Sequence, residues 1–359
     1  MIDWSSDETH LLLNPRLPEK DREALVRLQR SVPALAAHVW IASSGTSGAH
    51  KLVALSKRAL LASAESVNLH LRANSSDVWL SVLPTFHVGG LGILARAALS
   101  GARVVAAHWD ARGFVDLVAG ERVTLASLVP AQVTDLVAAR LVSPSSMRAV
   151  VVGGGVLRGG LYREARALGW PLLPSYGLTE AGSQVATADI GGPELRLLPH
   201  VECTIVDERI VIRTPALLTG YAVEGEGGGG GRFFDPKVDG WFTTEDRGVL
   251  EGNVLEILGR TWEFVKIGGE SVDLKRLEAV LEEVRGVADV ALVARHDERL
   301  GHVLVVAAAG EVGSSVGLFN KRVLPFERIR RIFQVDAIPR TELGKVRSGE
   351  LTKIIESLE

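Results

Sequence analysis

Two short polar runs in the 359-residue chain hold residue types that handle phosphate. SSGTSGAHK, from Ser43 to Lys51, strings hydroxyls and glycines up to a cation. Small residues let a backbone curl until several N–H groups face one anion, and lysine adds a compact charge on a flexible stem. The run follows HVWIA (His38 to Ala42), which reads as a buried strand. It precedes a segment from Ala54 to Leu71 in which Leu55, Leu60, Ala64, Val67 and Leu71 recur at helical spacing. Strand, glycine-rich turn and helix are therefore expected, the setting in which phosphate loops occur. The run does not fit G-x-x-x-x-G-K-[ST], because His50 precedes Lys51 and Leu52 follows it. Nor is it a nucleophile elbow, since Gly48 follows Ser47 directly. Taken alone, it reads slightly better as a surface turn of small residues.

The second run, SYGLTEAGSQ (Ser175 to Gln184), closes a predicted strand, where open α/β sheets place their ligand sites. Tyr176 offers a flat face, Thr179 a hydroxyl and Glu180 a carboxylate. Together they suit a purine, a phosphate and Mg²⁺. An ordinary capped helix start explains the decapeptide equally well.

The elements that must position these runs follow from the apolar pattern. Strands are expected at Val78 to Pro84, Ala102 to Ala107, Thr124 to Pro130, Ala149 to Gly155 and Pro171 to Gly177. Helices are expected at Lys20 to Arg30, Gly89 to Leu99 and Ala131 to Ala139. Such alternation predicts an α/β fold with parallel sheets covered by helices. From Glu202 to Leu258 short strands and turns predict a small antiparallel, β-barrel-like region. EGEGGGGGR (Glu224 to Arg232) reads as a low-complexity loop. Beyond Arg260 the pattern changes to a turn at KIGGES, a helix, two strands, a helix at Gly317 to Val323 and a strand at RIFQVDAIP. This predicts a small α+β C-terminal domain. Domains are expected at 1–260 and 263–359, with a hinge near 261–262.

Composition narrows the function. A formal net charge of −3 argues against nucleic-acid binding. One cysteine, Cys203, leaves no intramolecular disulfide and fits a reducing compartment. The N-terminal MIDWSSDETH is polar and acidic, without the look of a secretory signal. No apolar run is long enough for a bilayer. The expectation is a soluble cytoplasmic protein without nucleic-acid or membrane partners, its state as a homo-oligomer left open.

SSGTSGAHK, LPTFHVGGL, VVGGG, SYGLTEAGSQ, GWFTTED, the pair Gly259–Arg260, GGESV and PRTELGKV occur in one order. In order and approximate spacing the set resembles the acyl-adenylate-forming superfamily, from about Val39 to the C-terminus. Within it ESVNLHL, DVWLSVLPTFHVGGLGILARAALSGARVV, SLVPAQVTDLV and LPSYGLTEAGSQ are most similar to the o-succinylbenzoate–CoA ligases of menaquinone biosynthesis.

The resemblance implies an ATP-, Mg²⁺- and CoA-dependent ligase acting on a small carboxylic acid. It implies that Ser43, Ser44, Gly45, Thr46, Ser47, Gly48 and Lys51 grip the β- and γ-phosphates. Gly153, Gly154, Gly155, Ser175, Tyr176 and Gly177 would wall the adenine. Thr179 would meet the α-phosphate and Glu180 the Mg²⁺. Asp246 would take the ribose hydroxyls, assisted by Arg260. His87 would stand beside the acyl pocket and the reacting carboxylate; on its own it reads as a buried histidine. Lys345 would bridge carboxylate and α-phosphate during adenylation. Rotation of the small domain would then bring Gly268, Gly269 and Glu270 to the pantetheine tunnel. The second carboxylate of o-succinylbenzoate needs a cationic or polar partner, and Arg96, Arg158, Ser183 and Gln184 are the candidates. Arg96 falls on an amphipathic pattern and reads equally as a surface charge.

Five features depart from the family pattern. His50 replaces a proline before Lys51, and Glu245 replaces the glycine before Asp246. Trp262 occupies a hinge position that is usually small, polar or charged. Ser348 stands where an arginine follows the lysine motif. The chain also has roughly a hundred or more fewer residues before the phosphate loop than typical members, which reads as a compact ligase. A ligase for another aryl or acyl acid, an enzyme that loads a carrier protein, and a nucleotide-binding protein without turnover are the alternatives.

Overall fold

The computed structural model describes residues 2–43, 51–225, 230–260, 264–267, 270–284, 286, 289–297, 300–340 and 346–358. The chain divides into two units, one of Met1–Thr244 and Gly248–Leu258, the other of Glu245–Arg247 and Gly259–Glu359.

The first unit opens with β1 (His10–Leu12), α1 (Glu19–Arg30) and the antiparallel pair β2 (His38–Ser43) and β3 (Lys51–Ser56). Helix α2 (Lys57–Leu71) leads into β4 (Val78–Ser81), α3 (Val88–Ser100), β5 (Arg103–Ala106), α4 (Ala111–Gly120) and β6 (Leu125–Leu128). Then follow α5 (Pro130–Ala138), β7 (Ala149–Val152), α6 (Gly159–Ala167) and β8 (Leu172–Leu178). Beyond them lie β9 (Ser183–Ala188), β10 (Leu195–Leu197), β11 (Glu202–Val206), β12 (Arg209–Arg213), β13 (Gly220–Glu224), β14 (Gly231–Phe234), β15 (Phe242–Glu251) and β16 (Val254–Arg260), the last two lending Glu245–Arg247 and Gly259–Arg260 to the second unit.

Strands β5, β4, β6, β7 and β8 are parallel neighbours. Their side chains alternate between two covered faces. On one face Leu80, Ala126, Leu128, Val150, Val152 and Leu172 meet Phe114 and Val118 of α4, Val133 and Leu136 of α5 and Ala165 of α6. On the other, Trp79, Leu125, Ala149, Val151 and Leu173 meet Val67 and Leu71 of α2 and Ile93 and Ala97 of α3. Burial on both faces explains why β4, β6 and β7 read as largely apolar runs, while β5 at the edge is half-exposed. At β8 the sheet turns antiparallel through β9 and β10 and continues to β16, β15, β12 and β11, eleven strands in all. Of the small antiparallel, barrel-like region expected after Glu202, β11, β12, β15 and β16 thus extend the parallel sheet, while β13 and β14 do not. A separate five-stranded sheet runs β1-β2-β3-β13-β14.

The expected strand–turn–helix around Lys51 is corrected here. Lys51–Ser56 is a strand paired with β2, and the helix starts only at Lys57. Leu52, Val53, Ala54 and Leu55 are all buried, which a strand covered on both faces achieves. Ser56 then starts α2 by accepting the Ala59 amide at 3.0 Å, an N-cap that marks the boundary.

The second unit holds β17 (Phe264–Ile267), β18 (Glu270–Asp273), α7 (Leu274–Val284), β19 (Asp289–Asp297), β20 (Gly301–Ala309), α8 (Gly313–Arg322), β21 (Ile329–Gln334) and α9 (Ser348–Glu356). Its sheet runs β18-β17-β20-β19, with β21 parallel to β20. Leu277 and Leu281 of α7 and Phe319 of α8 pack with Leu304 and Val306, while Leu351 and Ile355 of α9 pack with Val305 and Ala307. Helices on both faces of a mostly antiparallel sheet match the α+β expectation.

Candidate functional site

At the carboxyl end of β8 the chain makes one short helical turn, Thr179–Ala181, closed by Gly182 in the left-handed region at φ 66°. The turn projects Glu180 toward the five-stranded sheet. There the Tyr221 hydroxyl donates to Glu180 Oε1 at 2.8 Å, and Lys51 Nζ lies 3.6 Å from the same oxygen. Lys51 Nζ also stands 4.1 Å from the centre of the Tyr221 ring. The register explains the grouping: Lys51 pairs with Val223 and Val53 with Tyr221, so Lys51 and Tyr221 are diagonal neighbours on one face. The Leu218 amide donates to the Glu180 carbonyl at 2.8 Å, so the approach to β13 holds main chain and side chain together. A carboxylate, the neighbouring Thr179 hydroxyl and an ammonium suit a phosphate with a hard, oxygen-preferring cation. Among the described residues no cluster of three or more metal-binding side chains exists. A Mg²⁺ that shares its coordination between one carboxylate and nucleotide phosphates needs none.

A second polar centre lies between α3 and the sheet. Arg96 is 1% exposed. It donates from one terminal nitrogen to Ser183 Oγ at 2.8 Å and from the other to Ser127 Oγ at 3.4 Å. Its guanidinium carbon stands 5.6 Å from the Trp79 ring centre, and its Nε has no partner. Among the described residues no carboxylate pairs with it. Burial pushes its pKa down to about 10, which leaves it charged at neutral pH. Gly92, one turn earlier, makes the room: a Cβ there would lie 3.0 Å from the guanidinium. Trp79 and Ser127 sit on the α2–α3 face of the sheet, so a residue on the inner side of α3 must meet them. Gln184 follows Ser183, donates to Thr187 Oγ1 at 2.6 Å and keeps a buried, unpartnered carbonyl oxygen.

The reading of Arg96 as a surface charge is thereby overturned. Helix α3, VGGLGILARAALS, is apolar all round, and such a helix is buried. Its single charge is buried with it. Ser127 was not singled out from the sequence; the signal was a lone hydroxyl within the buried strand LASL. Arg158, the fourth candidate, is exposed just before α6.

His87 forms the N-cap of α3, its ring 4.6 Å from that of Phe86. The His87 side chain is exposed, which corrects its reading as a buried histidine, and partial desolvation by its neighbours lowers its pKa below the ordinary 6.5. Gly153–Gly155 follow β7 beside Ser175 of β8, whose Oγ donates to the Val152 carbonyl at 3.1 Å. A Cβ on Gly153 would lie 2.8 Å from that Oγ, and Gly154 takes φ 75°. Tyr176 and Gly177 continue β8, with an irregular register between them.

In β15, Asp246 is half-buried and Glu245 exposed, so alternation along the strand turns the extra acid outward. Arg260 ends β16, and Glu270 begins β18. Ser44, Gly45, Thr46, Ser47, Gly48, His50, Trp262, Gly268, Gly269 and Lys345 lie outside the described residues.

Residues 8–222 match the AMP-binding enzyme family. Indoleacetate–CoA ligase of Aromatoleum aromaticum is 32% identical over 343 residues, 87% of this chain and 66% of that protein. 2-Succinylbenzoate–CoA ligase of Escherichia coli is 33% identical over 266 residues, 72% of this chain and 56% of that protein. The chain therefore spans less than two thirds of the length of either relative. In solved structures, o-succinylbenzoate CoA synthetase of Bacillus subtilis with its acyl-adenylate intermediate superposes at a TM-score of 0.73 and 25% identity, covering 87% of this chain and 68% of that one. With ATP and magnesium ion the same synthetase gives 0.71 and 25%, covering 88% and 69%. On the family match over more than half of its length, the chain belongs to the AMP-binding enzyme family.

Proposed function

We propose that the protein is an ATP-dependent acid–CoA ligase for an aryl acid with a second carboxylate, of which o-succinylbenzoate is the leading candidate. The observation that carries this reading is Arg96. A buried guanidinium with only neutral oxygens around it is costly unless an anion joins it. The second carboxylate of a dicarboxylic substrate supplies that anion, with Ser127 and Ser183 as further donors.

In the first half-reaction the other carboxylate attacks the α-phosphorus of ATP and pyrophosphate leaves. In the second, the CoA thiol attacks the acyl carbon and AMP leaves. Both reactants of the first step are anionic, so positioning and positive charge are what the chain can supply. Lys51 and residues 43–48 hold the β- and γ-phosphates, and the Thr179 hydroxyl meets the α-phosphate. Mg²⁺, when bound at Glu180, neutralises phosphate charge. Gly153, Gly154 and Gly155 leave the adenine a flat wall beside Ser175 and Gly177, and Tyr176 gives it a ring to lie against. Asp246 and Arg260 take the ribose. Neutral His87 stands by the acyl group and adds no competing charge. Lys345 bridges carboxylate and α-phosphate. Gly268, Gly269 and Glu270 serve the second step, in a C-terminal domain that starts at 263 and turns about 261–262. That unit carries a cleft of about 580 Å³ lined by Arg295, Arg330 and Arg331 against one acid, Asp297, a cationic excess that suits the phosphates of CoA.

A second reading, a ligase for a monocarboxylic arylacetate, rests on the indoleacetate–CoA ligase relative, 32% identical over 87% of the chain. Pyrophosphate release from ATP and Mg²⁺ with o-succinylbenzoate, indoleacetate and a panel of benzoates and fatty acids separates the two. Mass spectrometry of products with and without CoA completes the test. Turnover with o-succinylbenzoate and its thioester when CoA is added is expected. Turnover with indoleacetate alone would transfer the assignment to the second reading. ATP binding without turnover on any acid would sink both.

A further inference from the structure

We propose that Tyr221 is a positioning residue that couples the phosphate-gripping lysine to the metal-binding carboxylate. The proposal rests on reading Lys51 and Glu180 as the phosphate and magnesium side of the nucleotide site. Tyr221 is 8% exposed on β13 and packs on Phe234 with ring centres 5.6 Å apart, so its ring has little freedom. Its hydroxyl holds Glu180 Oε1 at 2.8 Å while its face carries Lys51 Nζ at 4.1 Å. One aromatic side chain therefore fixes the anion and the cation at once, 3.6 Å from each other.

The consequence is a charge exchange on nucleotide binding. Without nucleotide, Lys51 and Glu180 neutralise each other. Arriving phosphates would attract Lys51 away from the carboxylate, and Glu180 would then be the residue to hold Mg²⁺. The Tyr221 hydroxyl would keep its charge-assisted bond to Oε1 throughout and so hold the carboxylate in one orientation. No covalent step is involved. Tyr221 contributes to the magnesium-dependent part of ATP affinity and not to the magnesium-independent part.

The test is calorimetric titration of the full chain with ATP, once with Mg²⁺ and once with EDTA, for the unsubstituted protein, Tyr221→Phe, Glu180→Gln and the double variant. Phenylalanine keeps the ring under Lys51 and removes only the hydroxyl. The expected result is a roughly ten-fold loss of the affinity gained from Mg²⁺ in Tyr221→Phe, with the EDTA affinity within about two-fold of the original. Glu180→Gln should lose the same gain, and the double variant should lose no more than Glu180→Gln alone, because the hydroxyl acts through that carboxylate. A full magnesium gain in Tyr221→Phe, or losses that simply add in the double variant, would overturn the role. Failure of the unsubstituted protein to bind ATP in either buffer would overturn the nucleotide reading itself, an outcome visible before any variant is made.

Discussion

The Arg96 guanidinium meets the Ser183 hydroxyl at 2.8 Å, joining the inner face of α3 to the first residue of β9. Two residues of β8 and one helical turn separate Ser183 from Tyr176, so the same stretch of chain serves the cation and the proposed nucleotide side. Buried cations are normally paired. Here the partners are two hydroxyls and the face of Trp79, all neutral.

Arg96→Met should therefore act in opposite directions on stability and function. Replacing an uncompensated buried charge by an apolar side chain of similar length should stabilise the ligand-free protein by about 1–3 kcal/mol. The same change should raise KM for o-succinylbenzoate at least ~30-fold, the scale of leaving a buried carboxylate unpaired. KM for a monocarboxylic benzoate should move less than about three-fold. Urea unfolding and pyrophosphate release check the two halves. A destabilised variant with equal losses on both acids would make Arg96 a structural residue.

Gly177 sets a second expectation. A Cβ there would overlap the Ser183 carbonyl, a backbone atom that cannot turn aside. Gly177→Ala should cost about 1–3 kcal/mol of stability, the usual range for overpacking. It should also weaken ATP binding by displacing the Thr179–Glu180 turn. Gly153→Ala meets only the Ser175 Oγ, which can rotate, so its cost in urea unfolding should be distinctly smaller. Equal costs at the two positions would contradict this account.

How far the sequence foretold these features depends on whether local pattern or tertiary pairing decides them. β4, β6 and β7 were legible because strands covered on both faces leave largely apolar runs, and α3 and α5 because helical patterns alternate with those strands. The hairpin at Lys51 was not legible. Leu52, Val53, Ala54 and Leu55 suit a buried helix start as well as a strand, and only pairing with β2 and β13 decides. Among the candidates, Lys51 and Glu180 stand 3.6 Å apart. Tyr221, which joins them, lies forty-one residues beyond Glu180 and outside every phosphate-like run. Ser127 was hidden for a similar reason: nothing in LASL points to an arginine thirty-one residues earlier.

Acid stability should depend on Asp77. Burial raises the pKa of this carboxyl, but bonds from Arg148 at 2.7 and 2.6 Å, from Thr124 and from the Asn74 amide outweigh burial and hold it below 3.8. A carboxylate with a depressed folded pKa contributes stability that is complete above its unfolded value and lost as pH falls through the folded one. Asp77→Asn should lower stability at neutral pH and flatten its fall below 3.8. Urea unfolding across that range reads both. An unchanged acid slope would mean that other carboxylates dominate it.

His87 gives the last expectation, on the acid side of neutrality. Partial desolvation of the exposed His87 ring holds its folded pKa below 6.5, and an imidazolium at the N-terminus of α3 would also meet the positive end of the helix dipole. Between the two values the unfolded chain binds the extra proton. Stability from this group is therefore complete above 6.5 and lost as pH falls through the folded value. The rate should follow the same group if neutral His87 lines the acyl pocket, because a charged ring there would hold the reacting carboxylate back by charge. Pyrophosphate release should stay level as pH falls to 6.5 and decline only below it, and His87→Asn should lower the rate while removing that decline. A decline that persists unchanged in His87→Asn would assign it to another group and leave His87 as part of the α3 cap.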